Sequence, residues 1–172
     1  MDNPYQTPDA DVASLEQDTY QPSPFTVGGR LGRVRYLTYS LASQMLLSVP
    51  ELVLALISGR GLDTLLSSEA VTSVLEDTVT IGTSIILLLY SIALGRRRLH
   101  DMGKTALMLL LYLIPVVNVI FGLYLLLAAG EKGRNRFGPA PAPNSRAEIA
   151  AAWITSGLFV GLIVITIGAL QT

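Results

Sequence analysis

The sequence predicts an all-α integral membrane protein, and three features of its composition support that fold class. Hydrophobic residues make up 51% of the chain and charged residues 15%, against about 25% charged in a typical soluble domain. The charged residues are gathered into short stretches separated by long apolar runs. A bilayer core of about 30 Å requires roughly 17–25 apolar residues of helix, and four runs provide that length: 37–58, 78–95, 106–129 and 149–170.

The first run follows a polar N-terminal region. Residues 1–24 are rich in proline, aspartate and glutamine, which predicts a disordered tail. Neither a short apolar region nor a cleavage site typical of a secretory signal precedes the run, so it is expected to remain as an anchor. Within it Glu51 is an intramembrane acid. Such acids often serve ion or proton pathways, but Glu51 lies close enough to the helix end to reach the interface, and both roles stay open.

Charges around the first two runs predict their orientation. Arg30, Arg33 and Arg35 precede the first run, and residues 96–98 with Lys104 follow the second. Lys and Arg near helix ends remain cytoplasmic, which predicts a cytoplasmic N-terminus. The intervening residues 59–77 are acidic, with leucine and valine at helical spacing, and we expect a short helix on the membrane surface there.

The third run, 106–129, allows two topologies. As a continuous helix it is about 36 Å long and could cross the bilayer, but Lys132, Arg134 and Arg136 would then lie outside, against the charge rule. Alternatively, Pro115 breaks it into a re-entrant hairpin, which keeps both basic loops cytoplasmic. Both topologies are open from the sequence, and the charges favour the hairpin.

The fourth run follows an Ala-Pro spacer and contains Gly157 and Gly161. A G-x-x-x-G pattern allows helices to approach closely. It predicts either a homo-oligomer contact or packing of this helix against the first or second helix. Trp153 is expected to act as an interface anchor.

The stretch "GRRRLHDMGK" (95–104) is the most distinctive polar sequence. If the second helix continues into it, cations lie on one helix face at spacings of three and four, and Gly103 could form a left-handed cap. A simple topological anchor explains the arginines; a grip for a lipid phosphate or another anion is the sharper hypothesis. The candidate anion-binding residues, including two from the loop "GRNRFGP", are Arg96, Arg97, Arg98, His100, Lys104, Arg134 and Arg136.

Asp101 and Asn135 are predicted to complete one polar cluster with these cations if the third run folds back. Asp101 is expected to pair with a nearby arginine, for which Arg136 is a candidate. Catalysis by His100 and Asp101 is a weaker hypothesis, because adjacent helical residues point about 100° apart. A single histidine and no cysteine predict no metal site. No cofactor is expected, and the basic stretches lack the interleaved aromatic residues typical of nucleic-acid binding.

Three separated motifs, "GRLGRVRY" (29–36), "RRRLHDMGK" (96–104) and "GEKGRNRFGP" (130–139), resemble those of a known family. The chain is similar to small bacterial inner-membrane proteins of the YhaH type, the domain-of-unknown-function family eight hundred and five. The resemblance covers residues 25–141 and implies the fold and an inner-membrane location, but no activity. The aromatic residues that often follow the family's central motif are replaced here by Ala106 and Leu107, and residues 142–172 add a spacer and a further helix. The matching positions are Gly29, Arg30, Gly32 and Arg33; Arg97, Arg98, Leu99, His100, Asp101, Gly103 and Lys104; Ile114 and Pro115; and Gly130, Gly133, Asn135, Arg136, Phe137, Gly138 and Pro139.

These features predict a non-enzymatic polytopic membrane protein that serves as an interaction or lipid-associated module. Its partners would be the bilayer and anionic lipid headgroups. A small transporter or flippase for an anionic lipid or substrate, using Glu51 in its path, is the alternative. A membrane-embedded enzyme acting on a lipid phosphate is a third hypothesis.

Overall fold

The structure is a computed structural model, and it describes residues 19–50, Val53 and residues 69–169. The described chain is helical. Four α-helices and one 3-10 helix follow in order: α1 (Arg33–Leu47), α2 (Glu69–Asp101), the 3-10 helix (Ala106–Leu113), α3 (Val117–Leu127) and α4 (Arg146–Ala169). Helix α1 packs against α2, α3 and α4, and the 3-10 helix packs against α2 and α3. The all-α fold class is confirmed.

The first predicted helix differs in its bounds. Helix α1 begins at Arg33, four residues before the apolar run, and ends at Leu47 with Ser48 as its C-cap. Pro50 follows closely, and a proline is common just after a helix end because it cannot continue the hydrogen-bond ladder. Glu51 and the rest of the run, apart from Val53, lie outside the described residues.

Helix α2 is longer than predicted at both ends. It has 33 residues and includes residues 69–77, where a separate surface helix was expected; that prediction is wrong for residues 69–77, and residues 59–68 lie outside the described part of the chain. The stretch Ser73–Asp101 is, among the described residues, the one helix long and apolar enough to cross a membrane. Four spanning helices are therefore not shown.

Helix α2 ends in a Schellman motif, with the left-handed cap at Gly103 that the sequence predicted. The amide of Lys104 donates to the carbonyl of Leu99 (2.8 Å), and the amide of Gly103 donates to that of His100 (3.2 Å). Gly103 has φ +66°, a conformation that glycine adopts without steric cost. The cap turns the chain sharply away from α2.

The third apolar run is not a continuous helix. It is broken at Pro115 and Val116, where Val116 has φ +69° and separates the 3-10 helix from α3. The two arms contact each other, with the rings of Tyr112 and Phe121 edge to face at 5.1 Å. By their residue counts, the 3-10 arm and α3 are each roughly 16 Å long. We call residues 106–127 the apolar hairpin.

The ends of the apolar hairpin lie at the same place. The amide of Glu131, just after the hairpin, donates to the carbonyl of Asp101, just before it, at 2.8 Å. A segment whose two ends are hydrogen-bonded to each other begins and ends at the same place in the fold. The structure thus has the fold-back that charge placement favoured.

The buried core is small and lies beside these hairpin ends. It consists of Leu31, Tyr36, Leu94, Leu99, Met102, Phe121 and Leu125. By contrast, most apolar side chains of α2 before Leu94 are exposed, as are those on the outer faces of the hairpin and α4. The best-packed part of the molecule is therefore the part that contains the sequence motifs.

Helix α4 begins with a capping box. The Ser145 hydroxyl accepts from the amide of Glu148 (3.2 Å), and the Glu148 carboxylate accepts from the amide of Ser145 (2.7 Å). Helix α4 packs on α1, but a Cβ built on Gly157 or Gly161 has no described neighbour within 4 Å. The packing of α4 on α1 is thus not through these glycines, and the oligomer contact stays a prediction.

The last residues of the predicted disordered tail, 1–24, have defined contacts in the structure. Tyr20 pairs with the Ala-Pro spacer: its amide donates to the carbonyl of Ala140 (3.3 Å), and its carbonyl accepts from the amide of Ala142 (2.9 Å). Residues 20–24 are therefore part of the folded structure, and we call them the strap. Residues 1–18 lie outside the described chain.

Candidate functional site

The end of α2 carries a group of buried charges that we call the arginine cluster, consisting of Arg30, Arg97, Arg98 and Asp101. All three guanidinium groups have no exposed surface, and Asp101 is 4% exposed. Buried ionised groups are costly unless they are paired or hydrogen-bonded. The partners of each group therefore show what the cluster does.

Asp101 is the centre of the cluster. Its Oδ2 lies 2.7 Å from Nη1 of Arg98, and its Oδ1 lies 3.2 Å from Arg30. Arg98 comes from the preceding turn of the same helix, whereas Arg30 comes from the segment before α1. The predicted pairing of Asp101 with Arg136 is wrong, because Arg136 instead donates to the carbonyl of Gly103 at 3.0 Å.

Arg98 closes the C-terminal end of α3. Its Nε donates to the carbonyl of Leu125 at 2.7 Å, and its Nη2 bonds the carbonyl of Ala128. The last carbonyls of a helix lack intrahelical partners and carry partial negative charge. A buried guanidinium satisfies them and fixes the returning arm of the hairpin to α2.

Arg30 holds the loop that follows α3. Its Nη1 donates to the carbonyl of Gly133 at 2.5 Å, and its Nη2 bonds the carbonyl of Glu131. The close approach leaves no room at Gly130, where an added Cβ would lie 2.6 Å from the Asp101 carboxyl carbon. Arg30 and Arg98 therefore act as internal donors to backbone carbonyls.

The stretches "RRLHD" and "NRFGP" contact each other in the structure. The Asn135 side chain donates to the carbonyl of His100 at 2.9 Å. The rings of His100 and Phe137 stack with centroids 3.9 Å apart, and the Arg136 guanidinium lies 4.6 Å from the Phe137 centroid. His100 is thus engaged with Phe137, whereas the Asp101 carboxylate is engaged with two arginines.

The predicted anion-binding residues divide into two groups. Arg97, Arg98 and His100 are buried, and their role in anion binding stays a prediction. The remaining candidates are exposed, together with two further cations at the same end of the molecule. We call this exposed group the basic rim: Arg33, Arg96, Lys104, Lys132, Arg134 and Arg136.

Arg97 differs from its neighbours. Its Nη1 donates to the carbonyl of Ser23 in the strap at 2.8 Å. Its Nε and Nη2 are buried and have no hydrogen-bond partner among the described residues. They are the only buried side-chain nitrogen or oxygen atoms in the described chain for which this is so.

A second ion pair, between the buried Arg35 and the half-buried Glu148, joins α1 to α4. Nε of Arg35 lies 2.7 Å from Oε1 of Glu148, and its Nη1 donates to the carbonyl of Ala142 at 2.6 Å. The hydrogen bond from Arg35 lowers the pKa of the Glu148 carboxyl below its ordinary value. Sequence reasoning treated Arg30 and Arg35 as topological charges and missed Glu148. The S-x-x-E spacing of Ser145 and Glu148 was a signal for the helix start.

A cavity of about 270 Å³ lies between the start of α1, Asp101 and the Ala-Pro spacer. Its wall includes the side chains of Arg33, Arg35 and Glu131. No group of three or more His, Asp or Glu side chains that could hold a metal ion occurs within residues 19–50, 53 and 69–169.

The chain matches the model of one protein family, described as DUF805, a protein of unknown function, over residues 24–139. No curated protein and no solved structure matches the chain. The matched residues include the arginine cluster and both arms of the apolar hairpin, whereas α4 lies beyond them.

Replacement of Asp101 by asparagine tests the centre of the cluster. Asp101→Asn keeps the shape of the side chain but leaves Arg30 and Arg98 buried without a counter-charge. We expect a loss of about 3–5 kcal/mol in the free energy of unfolding, measured on the purified protein in detergent. The same exchange at the exposed Asp77, Asp77→Asn, is the matched control, expected within about 0.5 kcal/mol of wild type. Equal effects of the two variants would contradict a structural role for Asp101.

The lowered pKa of Glu148 predicts that the stability of the protein depends on pH. Because its pKa in the folded protein lies below the ordinary value of 4.5, its contribution to stability is present above about pH 4.5. It is lost as the pH falls through the folded-state pKa. We expect Glu148→Gln to be less stable than wild type at pH 7, and the difference to shrink as the pH is lowered below 4.5. Unfolding curves at several pH values measure it, and a constant difference would oppose the prediction.

Proposed function

The chain belongs to the DUF805 family of proteins of unknown function, and from that premise and the geometry of the cluster we propose a non-enzymatic, lipid-associated membrane module. In this proposal α2 crosses the bacterial inner membrane, the apolar hairpin enters it from the cytoplasmic side, and the basic rim contacts anionic lipid headgroups. The N-terminus is cytoplasmic.

The observation that carries the proposal is the surface of α2. Of the most apolar 18 residues in Ser73–Asp101, 17% are buried. The exposed side chains include Ile81, Ile85 and Leu88. Glu76 and Asp77 bound this apolar surface toward the N-terminus of α2, and Arg96 bounds it toward the C-terminus. Asp77 and Arg96 are 19 positions apart, which corresponds to about 29 Å of helix, close to the roughly 30 Å of a bilayer core.

The apolar hairpin supports the same placement. Its arms expose Leu107, Leu110, Leu113, Val119 and Leu123, a surface that water would not favour. Each arm is about half as long as the bilayer core, and its ends lie beside the basic rim. Such a hairpin would reach the middle of the bilayer and return, with the rim at the headgroups.

The basic rim supports anionic lipid as the partner. Each cation close to a membrane surface contributes roughly 1 kcal/mol of attraction to anionic headgroups. The rim lies at the end of α2 opposite Glu76 and Asp77, as the positive-inside rule requires of a cytoplasmic face. The transporter hypothesis depends on Glu51, outside the described residues, and stays a hypothesis, as does catalysis on a lipid phosphate.

Topology can be tested with single cysteines, because the natural chain has none. We expect Thr105→Cys, Ala129→Cys and Asn144→Cys to be protected from an impermeant maleimide added to spheroplasts, and to react after permeabilisation. Ser73→Cys, before the acidic residues at the other end of α2, should react from the outside. All four positions are exposed in the protein. External labelling at 129 and 144, with protection at 105, would show that the third segment crosses the membrane.

Lipid selectivity tests the basic rim. We expect spin-labelled phosphatidylglycerol to associate more strongly than spin-labelled phosphatidylcholine with the reconstituted protein. Arg96→Gln, Lys104→Gln and Lys132→Gln together should remove up to about 3 kcal/mol of that preference, as measured by electron paramagnetic resonance. The matched control exchanges the same positions with charge retained: Arg96→Lys, Lys104→Arg and Lys132→Arg. An unchanged preference in the neutral variant would reject the rim as a headgroup contact.

A further inference from the structure

Three consecutive carbonyl groups of the strap cover a set of donors around Arg97. The Tyr39 hydroxyl donates to the carbonyl of Pro22 (3.3 Å), Arg97 to that of Ser23 (2.8 Å) and the Tyr90 hydroxyl to that of Pro24 (3.1 Å). Pro22 and Pro24 have no amide hydrogen, so their backbone presents only acceptor oxygens to these donors. An oxyanion likewise presents only acceptor oxygens.

The unpaired edge of Arg97 has the geometry that binds an oxyanion. Nε and Nη2 carry parallel N–H groups, the fork that binds two oxygens of one carboxylate or phosphate. Both atoms are buried without a partner in the described chain. Burying a charged donor unpaired costs more than leaving a neutral one unpaired. The other arginines of the cluster have bonds to Asp101 and backbone carbonyls.

The charge around Arg97 is also positive. The arginine cluster buries three guanidinium groups and one carboxylate, which leaves an excess of two positive charges. The carboxylate is held by Arg30 and Arg98, and Arg97 has no acidic partner among the residues that the structure describes. An anion at Arg97 would reduce this excess in a site of low dielectric, where the attraction is strong.

The strap is joined to the rest of the fold by contacts that can be exchanged. It is held by the backbone bonds of Tyr20 to the spacer, by the bond of the Tyr20 hydroxyl to the Arg30 carbonyl, by the bond of Arg35 to the Gln21 side chain (3.3 Å), and by its three carbonyls. On its C-terminal side the chain is open: Phe25 is 89% exposed, and Gly28 and Gly29 follow, with Gly29 at φ +83°. Displacement of the strap would therefore uncover Arg97, Tyr39 and Tyr90 without unfolding a helix.

We propose that Arg97, Tyr39 and Tyr90 form a binding site for a phosphate group, which the strap occupies with its carbonyl oxygens until the ligand displaces it. The inference deepens the proposed function, since it rests on that function for the presence of lipid phosphates at this depth. The phosphate can belong to a lipid headgroup of the phosphomonoester type or to a small soluble molecule, and the same donors bind both.

Calorimetry on the full-length protein in detergent tests the site with two probes. Inorganic phosphate represents the soluble source, and dioctanoyl phosphatidic acid represents the lipid source. Dioctanoyl phosphatidylcholine is the zwitterionic control. Binding of either phosphate probe supports the site, and tighter binding of phosphatidic acid identifies the lipid source. Tighter binding of inorganic phosphate identifies the soluble one. Binding of neither probe overturns the proposal.

Variants assign the binding to Arg97. Arg97→Lys keeps the charge but loses the fork, and we expect roughly tenfold weaker binding or more. Arg146→Lys, an exposed arginine outside the basic rim, is the matched control and should bind as wild type does. If Arg97→Lys does not fold, Tyr39→Phe with Tyr90→Phe removes two donors and should weaken binding by several fold. Equal binding by the folded variants and wild type overturns the assignment.

Hydrogen exchange provides the readout for the strap. We expect the amides of Tyr20 and Ala142, which are bonded in the closed arrangement, to exchange faster when a phosphate probe is bound. Unchanged exchange with bound probe would overturn displacement of the strap. The outcome is separable from that of the proposed function, because the neutral rim variant tests lipid selectivity in a membrane, whereas inorganic phosphate tests Arg97 in detergent.

Discussion

The carboxylate of Asp101 is the constraint on which the rest of the structure depends. It joins the end of α2, through Arg98, to the segment before α1, through Arg30. Both arginines then extend to backbone carbonyls, Arg98 to that of Leu125 near the end of the apolar hairpin and Arg30 to that of Gly133 beyond it. One negative charge thus orients two guanidinium groups that hold four separate parts of the chain together. Since a guanidinium has five donors in a fixed plane, it can serve a carboxylate and several carbonyls at once, which a lysine could not.

This arrangement explains how a short apolar hairpin can be stable. Each arm is too short to cross a bilayer, and the break at Val116 disrupts the helical hydrogen bonds at its tip. The hairpin is nevertheless fixed at its open end, where Arg98 satisfies the last carbonyls of α3 and Glu131 bonds to the carbonyl of Asp101. Its stability therefore comes from the polar end of the fold, and its apolar faces are left for another surface to cover.

Much of the architecture could be predicted from the sequence, because it depends on local patterns. The glycine after a helical pattern predicted the cap at Gly103, and Pro115 in an apolar run predicted a break. The basic loops on both sides of that break favoured the fold-back. The resemblance to a family carried these motifs together, and its match over residues 24–139 is confirmed.

The roles of the individual arginines could not be predicted, because they are decided by residues distant in the chain. Arg96, Arg97 and Arg98 are adjacent and chemically identical, yet Arg96 is exposed, Arg97 faces the strap, and Arg98 is bonded to the end of α3. A charge pattern gives the number of cations near a helix end but not the carbonyls that will meet them. The same holds for Asp101, which pairs not only with Arg98 in the preceding turn but also with Arg30, 71 positions away in the sequence.

A buried arginine bonded to carbonyls and a buried arginine with an edge open to an anion have the same sequence signature. The two kinds are distinguished by their hydrogen bonds. Nε of Arg30 and Nε of Arg98 each donate to an oxygen, whereas Nε and Nη2 of Arg97 have no partner among the described residues. The cost of that unpaired edge is expected to be offset elsewhere or by a ligand. The three strap carbonyls accept from Nη1 of Arg97 and from the hydroxyls of Tyr39 and Tyr90. In the proposed ligand-bound form, oxygens of the phosphate replace these carbonyls, and the packing of the helices stays the same.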